Sequence, residues 1–381
     1  MEASSGKFVS VNQMLTEMTP SYPVYCLRPD LIAKSADQFI QDFPGKTMFA
    51  VKCNPHPTVL KMLYKAGISH FDVASLQEIS QISELFPDAA LYYMHPVKPQ
   101  AHIDSAHDVY HVRHYVIDHF NELYKLQRQI DTTGTTIIVR VATPDSGASY
   151  NLSEKFGATP EEAIALLQSI RDQGMETGLA FHVGSQCTTV ASFKDALHFV
   201  KTILDTAQVD IKYLDIGGGF PASYDGVEIP PLQDYFDIIE EGVKSLNLPD
   251  DCELMCEPGR ALVANGCSLI VQVQLRKENR LYINDGIYGS FSEAHTVGFR
   301  FPVRLHRPQG AISEKMDDFT IFGPTCDSMD VLPYTFSLPD DIREGDWIEI
   351  SQLGAYSNAC VTRFNGFYPE TFVEISDNIN H

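Results

Sequence analysis

A chain of 381 residues, 44% of them hydrophobic, is long enough for a large core and two domains. A formal net charge of −22 argues against nucleic acid or an anionic membrane as partner and favours small cations. No stretch is long and apolar enough to span a bilayer, and no leader pattern opens the chain. The eight cysteines have neither Cys-x-x-Cys spacing nor a companion His cluster, so no metal site is expected and free thiols in a cytoplasmic compartment fit best.

In chain order, residues 22–27 read as a strand that can pair with either domain. Residues 47–52 form an apolar strand ending at Lys52, just before an Asn54-Pro55 stop. A strand-end lysine commonly snorkels to solvent; a desolvated one is disfavoured as ammonium and freed to form a Schiff base. A helix follows over 57–66, then strands at 70–74 and 90–94 with a helix over 77–86 between them. Next come a strand at 115–118, a helix over 121–130, and a strongly β-branched strand at 136–142. The helix over 159–173 starts on Thr159-Pro160-Glu161-Glu162, an N-cap signal. Strands at 177–182, 211–216 and 253–256 alternate with helices over 190–207 and 232–246. This alternation predicts a parallel α/β sheet of a length that suits a closed (β/α)8 barrel over 28–265. Beyond it, 268–275, 280–284, 318–322, 347–350 and 360–364 read as strands. With residues 1–27, the segment 266–381 makes a second, mostly β domain.

The chemistry-bearing residues follow strand ends, which is the catalytic face of such a barrel. His182-Val183-Gly184-Ser185 places an imidazole before a small turn, where it can stack on an aromatic ring or be an ordinary core histidine. Asp215-Ile216-Gly217-Gly218-Gly219 presents successive N–H groups to a phosphate, or is merely a sharp loop. Glu257-Pro258-Gly259-Arg260 supplies a carboxylate that can keep a pyridine nitrogen protonated and a guanidinium that can clamp phosphate. A lysine, a glycine loop, a Glu and an Arg on successive strand ends point to pyridoxal 5'-phosphate. In the second domain, Cys326 and Asp327 sit in a polar loop, as a proton donor and a partner for a cationic substrate group; Tyr356 offers a phenol.

Taken in order, Ala-Val-Lys-Cys-Asn, His-Val-Gly-Ser, Asp-Ile-Gly-Gly-Gly-Phe-Pro, Glu-Pro-Gly-Arg, Asn-Asp-Gly-Ile-Tyr-Gly-Ser-Phe, Gly-Pro-Thr-Cys-Asp-Ser-x-Asp and Phe-Asn-Gly-Phe resemble the fold-III pyridoxal-phosphate decarboxylases, of the alanine-racemase-like fold, with ornithine decarboxylases the nearest match. The resemblance implies that Lys52 is the Schiff-base lysine, that His182 stacks on the ring, and that Ser185, Gly217, Gly218, Gly219, Arg260 and Tyr356 hold the phosphate. It gives Glu257 the pyridine nitrogen and makes Asp72 and Arg140 further cofactor-binding positions. It implies substrate binding by Asp327 and by Tyr288 and Phe364, which lie within its motifs, and Cys326 as proton donor. It also implies a homodimer with shared active sites, into which Cys326 and Asp327 reach from the partner subunit, and an ion pair between subunits from Lys155 to Asp330. The reaction implied is L-ornithine to putrescine and carbon dioxide, in polyamine biosynthesis.

The pattern departs at Val297, where ornithine decarboxylases of eukaryotes place a second aspartate; Glu293 is the nearest acid that can substitute. Lysine or another diamino acid therefore stays open as substrate, since one methylene discriminates by only about 1–3 kcal/mol. Diaminopimelate fits less well, as do a racemase and a non-catalytic regulator of the same fold.

Overall fold

The computed structural model describes residues 6–144 and 155–377. The chain divides into two compact units: Ala36–Pro221 with Ile229–Gly259, and Met1–Ser35 with Ala222–Glu228 and Arg260–His381.

The first unit is a closed barrel of eight parallel strands: Lys46–Ala50, His70–Val73, Ala90–Tyr93, His114–Ile117, Thr136–Arg140, Glu176–Ala180, Tyr213–Asp215 and Glu253–Cys256, the last pairing with the first. Met48, Tyr92, Met94, Val116, Ile138, Ala180 and Met255 pack together as a buried cluster on these strands. Some of the connecting helices start where a side chain satisfies one of their first N–H groups. Thr159 and Glu162 form a reciprocal capping box for Pro160–Asp172: the Thr159 hydroxyl accepts from Glu162 N at 3.3 Å, and Thr159 N donates to the Glu162 carboxylate at 3.0 Å. Ser75 caps Leu76–Leu85 in the same position, accepting from Glu78 N at 3.2 Å.

The second unit is a nine-stranded sheet organised around the long strand Cys267–Lys277. That strand pairs antiparallel with Val24–Leu27, Arg280–Ile283 and Trp347–Ile350. The early strand candidate at 22–27 therefore belongs here, with Thr371–Ile375 parallel on its other side. Val11, Met14 and Leu15 of the helix Val11–Met18 pack on Val24, Ile270, Trp347 and Val373 to form its core.

One expected strand does not form. Residues 361–363 are irregular backbone leading into the 3-10 segment Phe364–Gly366, because Thr362 gives its N–H and hydroxyl to Tyr288 O, both at 2.9 Å, instead of to a neighbouring strand.

Candidate active site

All the expected barrel residues lie at or just past the C-terminal strand ends, on one rim. Lys52 sits in the 3-10 turn Val51–Cys53 that ends the first strand, and Asp72 pairs in register with Ala50. Lys52 Nζ donates to Asp72 Oδ2 at 2.9 Å. The expectation of a desolvated amine is corrected here: the Lys52 side chain is 46% exposed, and it is the carboxylate of Asp72, 1% exposed, that is buried. Position at the rim and an acid partner, not an apolar sheath, define this amine.

Arg140 ends the strand Thr136–Arg140, and His182 follows Glu176–Ala180 by two residues. Gly184 N–H donates to His182 Nδ1 at 2.9 Å, so the neutral ring carries its proton on Nε2. Burial, with the positive charges of Arg140 and Lys52, holds the imidazole well below its usual range, so it is neutral. Ser185 is half-buried three residues on.

Gly217, Gly218 and Gly219 follow Tyr213–Asp215 and are packed against their neighbours. Gly217 has φ +69°, and a Cβ there would stand 2.2 Å from Phe181 O; Gly219 has φ +101°, and its Cβ would stand 2.5 Å from Gly184 O. Neither position admits a side chain. The N–H groups of Gly218 and Gly219 make no hydrogen bond to another described residue, which is the arrangement an anion needs.

Sequence reasoning left Asp215 without a role, although it directly precedes the glycines. It is fully buried and accepts from Gly217 N at 2.8 Å through Oδ1. Its neighbour is Glu257. Burial pushes the Asp215 carboxyl up to about 7, against hydrogen bonds from Glu257 and Gly217. Burial, then the charges of Asp215 and Asp72, push Glu257 well above the carboxylate range, against Lys52. The two acids are neighbours joined by a hydrogen bond, and a cation set against Glu257 would favour its ionised form.

The second unit holds two further clusters. Arg260 begins the helix Arg260–Val263 and is 4% exposed. Its guanidinium lies 5.1 Å from the centre of the Tyr356 ring, 5.6 Å from Tyr224 and 4.9 Å from Phe299. Tyr356 has φ +59°, a backbone position that ring residues seldom take. Glu293, on the helix Ser292–Thr296, has both carboxylate oxygens on Arg260, at 2.6 and 2.9 Å. The acid expected to substitute at the substrate's far end is thus held by Arg260, and Val297 caps the same helix without a charge. Tyr224 and Phe299 carry no motif that marks them.

The other cluster brings together Tyr288, Asp327 and Phe364. The Tyr288 hydroxyl donates to Asp327 Oδ2, and the Tyr288 and Phe364 rings lie 4.8 Å apart. Met329 N–H, at 2.9 Å, and the Tyr288 hydroxyl hold the Asp327 carboxyl below its usual range, so it is anionic. Cys326 is exposed beside it, with its N–H on Asn365 Oδ1 at 3.0 Å. Asp330 ties the two loops: it accepts from Ile287 N at 2.9 Å, Thr325 N at 3.0 Å and the Thr325 hydroxyl at 2.7 Å. It is 3% exposed, with its carboxylate occupied inside its own unit, while Lys155 is exposed and stands 5.0 Å from the Phe156 ring. Among the described residues no group of three or more His, Cys, Asp or Glu side chains is placed to hold a metal, and no helix is long and apolar enough to cross a membrane.

Residues 30–264 match the family model for the pyridoxal-binding domain of pyridoxal-dependent decarboxylases. The chain is 35% identical over 330 residues to the lysine/ornithine decarboxylase of Selenomonas ruminantium, covering 84% of this chain and 81% of that protein. It is 30% identical over 363 residues to antizyme inhibitor 2 of Xenopus laevis, covering 87% and 76%. Among solved structures it is similar to the arginine decarboxylase of Paramecium bursaria Chlorella virus, with a TM-score of 0.86 at 27% identity over 96% of this chain and 99% of that one.

Proposed function

The chain belongs to the pyridoxal-dependent decarboxylases, enzymes that use pyridoxal 5'-phosphate to decarboxylate amino acids, and we propose that its substrate is L-ornithine, converted to putrescine and carbon dioxide. The observation that carries the choice of a basic amino acid is the cluster of Tyr288, Asp327 and Phe364: an anionic carboxyl beside two rings suits an ammonium group at the end of an aliphatic chain.

The residues fit the cofactor. Lys52 offers an accessible amine, Glu257 a carboxyl with an acid neighbour, and Gly218 and Gly219 N–H groups with no hydrogen bond to another described residue. We assign Lys52 to the aldehyde, Glu257 to the ring nitrogen, His182 to the ring face, and Ser185, the three glycines, Arg260 and Tyr356 to the phosphate, with Asp72 and Arg140 at the rim. When bound, the cofactor supplies a ring that takes up the electron pair left when the bond from Cα to the carboxylate breaks. The protein's part is positional. Asp327 holds the distal ammonium, and the neutral His182 adds no competing charge at the ring face. The Cys326 thiol delivers a proton to Cα once carbon dioxide has left, and Lys52 releases the amine product.

Val297 is apolar where a second acid was expected, and Asp327 is assigned to the far end, so chain length is weakly discriminated and lysine is the second substrate. We assign the enzyme to a reducing compartment such as the cytoplasm, consistent with eight free thiols, and to a homodimer in which Cys326 and Asp327 serve the partner's site. Gas release from ornithine, lysine, arginine, diaminobutyrate and diaminopimelate tests the reading. Ornithine should be fastest with lysine next; loss of optical rotation without gas would make the protein a racemase, and silence across the panel a regulator.

A further inference from the structure

Arg260, the cation assigned to a phosphate, already grips an anion. Nη1 donates to Glu293 Oε2 at 2.9 Å and Nη2 to Oε1 at 2.6 Å, the two-pronged geometry by which a guanidinium also recognises phosphate. Nη1 also donates to the Tyr224 hydroxyl at 2.6 Å. Three aromatic rings lie against the guanidinium, and the Arg260 and Glu293 side chains are 4% and 13% exposed. In so dry a place the attraction is little screened. A phosphate monoester brings a charge of about −1.5 to −2 near neutrality. Two anions on one guanidinium repel, so the phosphate and the Glu293 carboxylate cannot share that fork at full charge.

We propose that Glu293 is an internal competitor for the cofactor's phosphate: it occupies the fork of Arg260 and must turn out of it before the phosphate binds there. This rests on the assignment of Arg260 to the phosphate made above. Glu293 sits on a helix of only five residues, bounded by Gly298 at φ +81°, next to the exposed His295 and Thr296. A rotation of its side chain delivers the carboxylate to water without unmaking a core element. Cofactor binding at this fork then exchanges one anion for another, and its affinity is lower than the same cage would give with a neutral side chain at position 293.

The test is uptake by the full-length protein stripped of cofactor, followed by absorbance of the bound ring. Pyridoxal 5'-phosphate and phosphate-free pyridoxal are titrated against wild type, Glu293→Gln and Glu293→Ala. Glutamine keeps an acceptor oxygen for Arg260 and removes only the charge. Both variants should bind pyridoxal 5'-phosphate about tenfold tighter or more, and pyridoxal no differently from wild type; unchanged pyridoxal binding also shows that the variants fold. Equal or weaker binding of the phosphate form by Glu293→Gln would overturn the inference and make Glu293 a support that positions Arg260. If wild type takes up neither compound, the cofactor assignment falls and this inference with it.

Discussion

Asp215 shows how a single buried acid shapes the site. Burial pushes its folded carboxyl up to about 7 from an ordinary value of 3.8. The folded state therefore binds its proton more tightly than the unfolded chain does, and ionising it as pH rises through this window costs stability. Asp285, raised to about 6 chiefly by burial, acts in the same direction. Chemical denaturation of the cofactor-free protein should give a lower unfolding free energy at about pH 8 than at about pH 5, and Asp215→Asn should flatten that slope. Identical slopes in wild type and variant would show that Asp215 ionises freely. Lys52 is the contrasting case. Its reach to the rim was readable in the Val51-Lys52-Cys53 sequence, but its environment was not, because the partner acid lies twenty residues away on the next strand.

At the scale of elements, the barrel was legible because its eight strands are short apolar runs and most of them are followed by a helix with an apolar period. The Thr159 capping box is local chemistry; Thr159→Ala should cost about 1 kcal/mol, read as a lower denaturation midpoint with an unchanged slope, and no loss would mean that Pro160 alone sets the helix start. Other elements lacked such signals. The helix Gln100–Asp108 buries only Ile103 and Ala106 and carries two Asp and two His, so its period is faint. The strand Val331–Pro339 contains Pro333 and lies at the end of its sheet path, where a missing N–H is tolerated but the sequence reads as loop. The segment 360–364 has strand-forming residues in Val361, Thr362 and Phe364, yet Thr362 hydrogen-bonds to the Tyr288 loop, a long-range partnership that no local pattern encodes. The site divides in the same way. The glycine loop, Glu257 and His182 were marked by motifs, whereas the Arg260–Glu293 pair and the rings of Tyr224 and Phe299 arise only when distant segments meet.

For the molecule as a whole, the proposed homodimer makes a prediction that no single chain can. If Lys52 acts in one subunit's site and Asp327 reaches it from the other, Lys52→Ala and Asp327→Ala proteins are each nearly inactive alone. Mixed and allowed to exchange subunits, they should recover about a quarter of wild-type activity, because half the dimers then hold one intact site of two. No recovery after exchange would place both residues in the same subunit's site. The claim beneath all of this is the covalent use of one amine. Borohydride reduction of the protein loaded with pyridoxal 5'-phosphate, followed by peptide mapping, should put the pyridoxyl label on Lys52 and nowhere else. A label on another lysine, or none, would contradict the account.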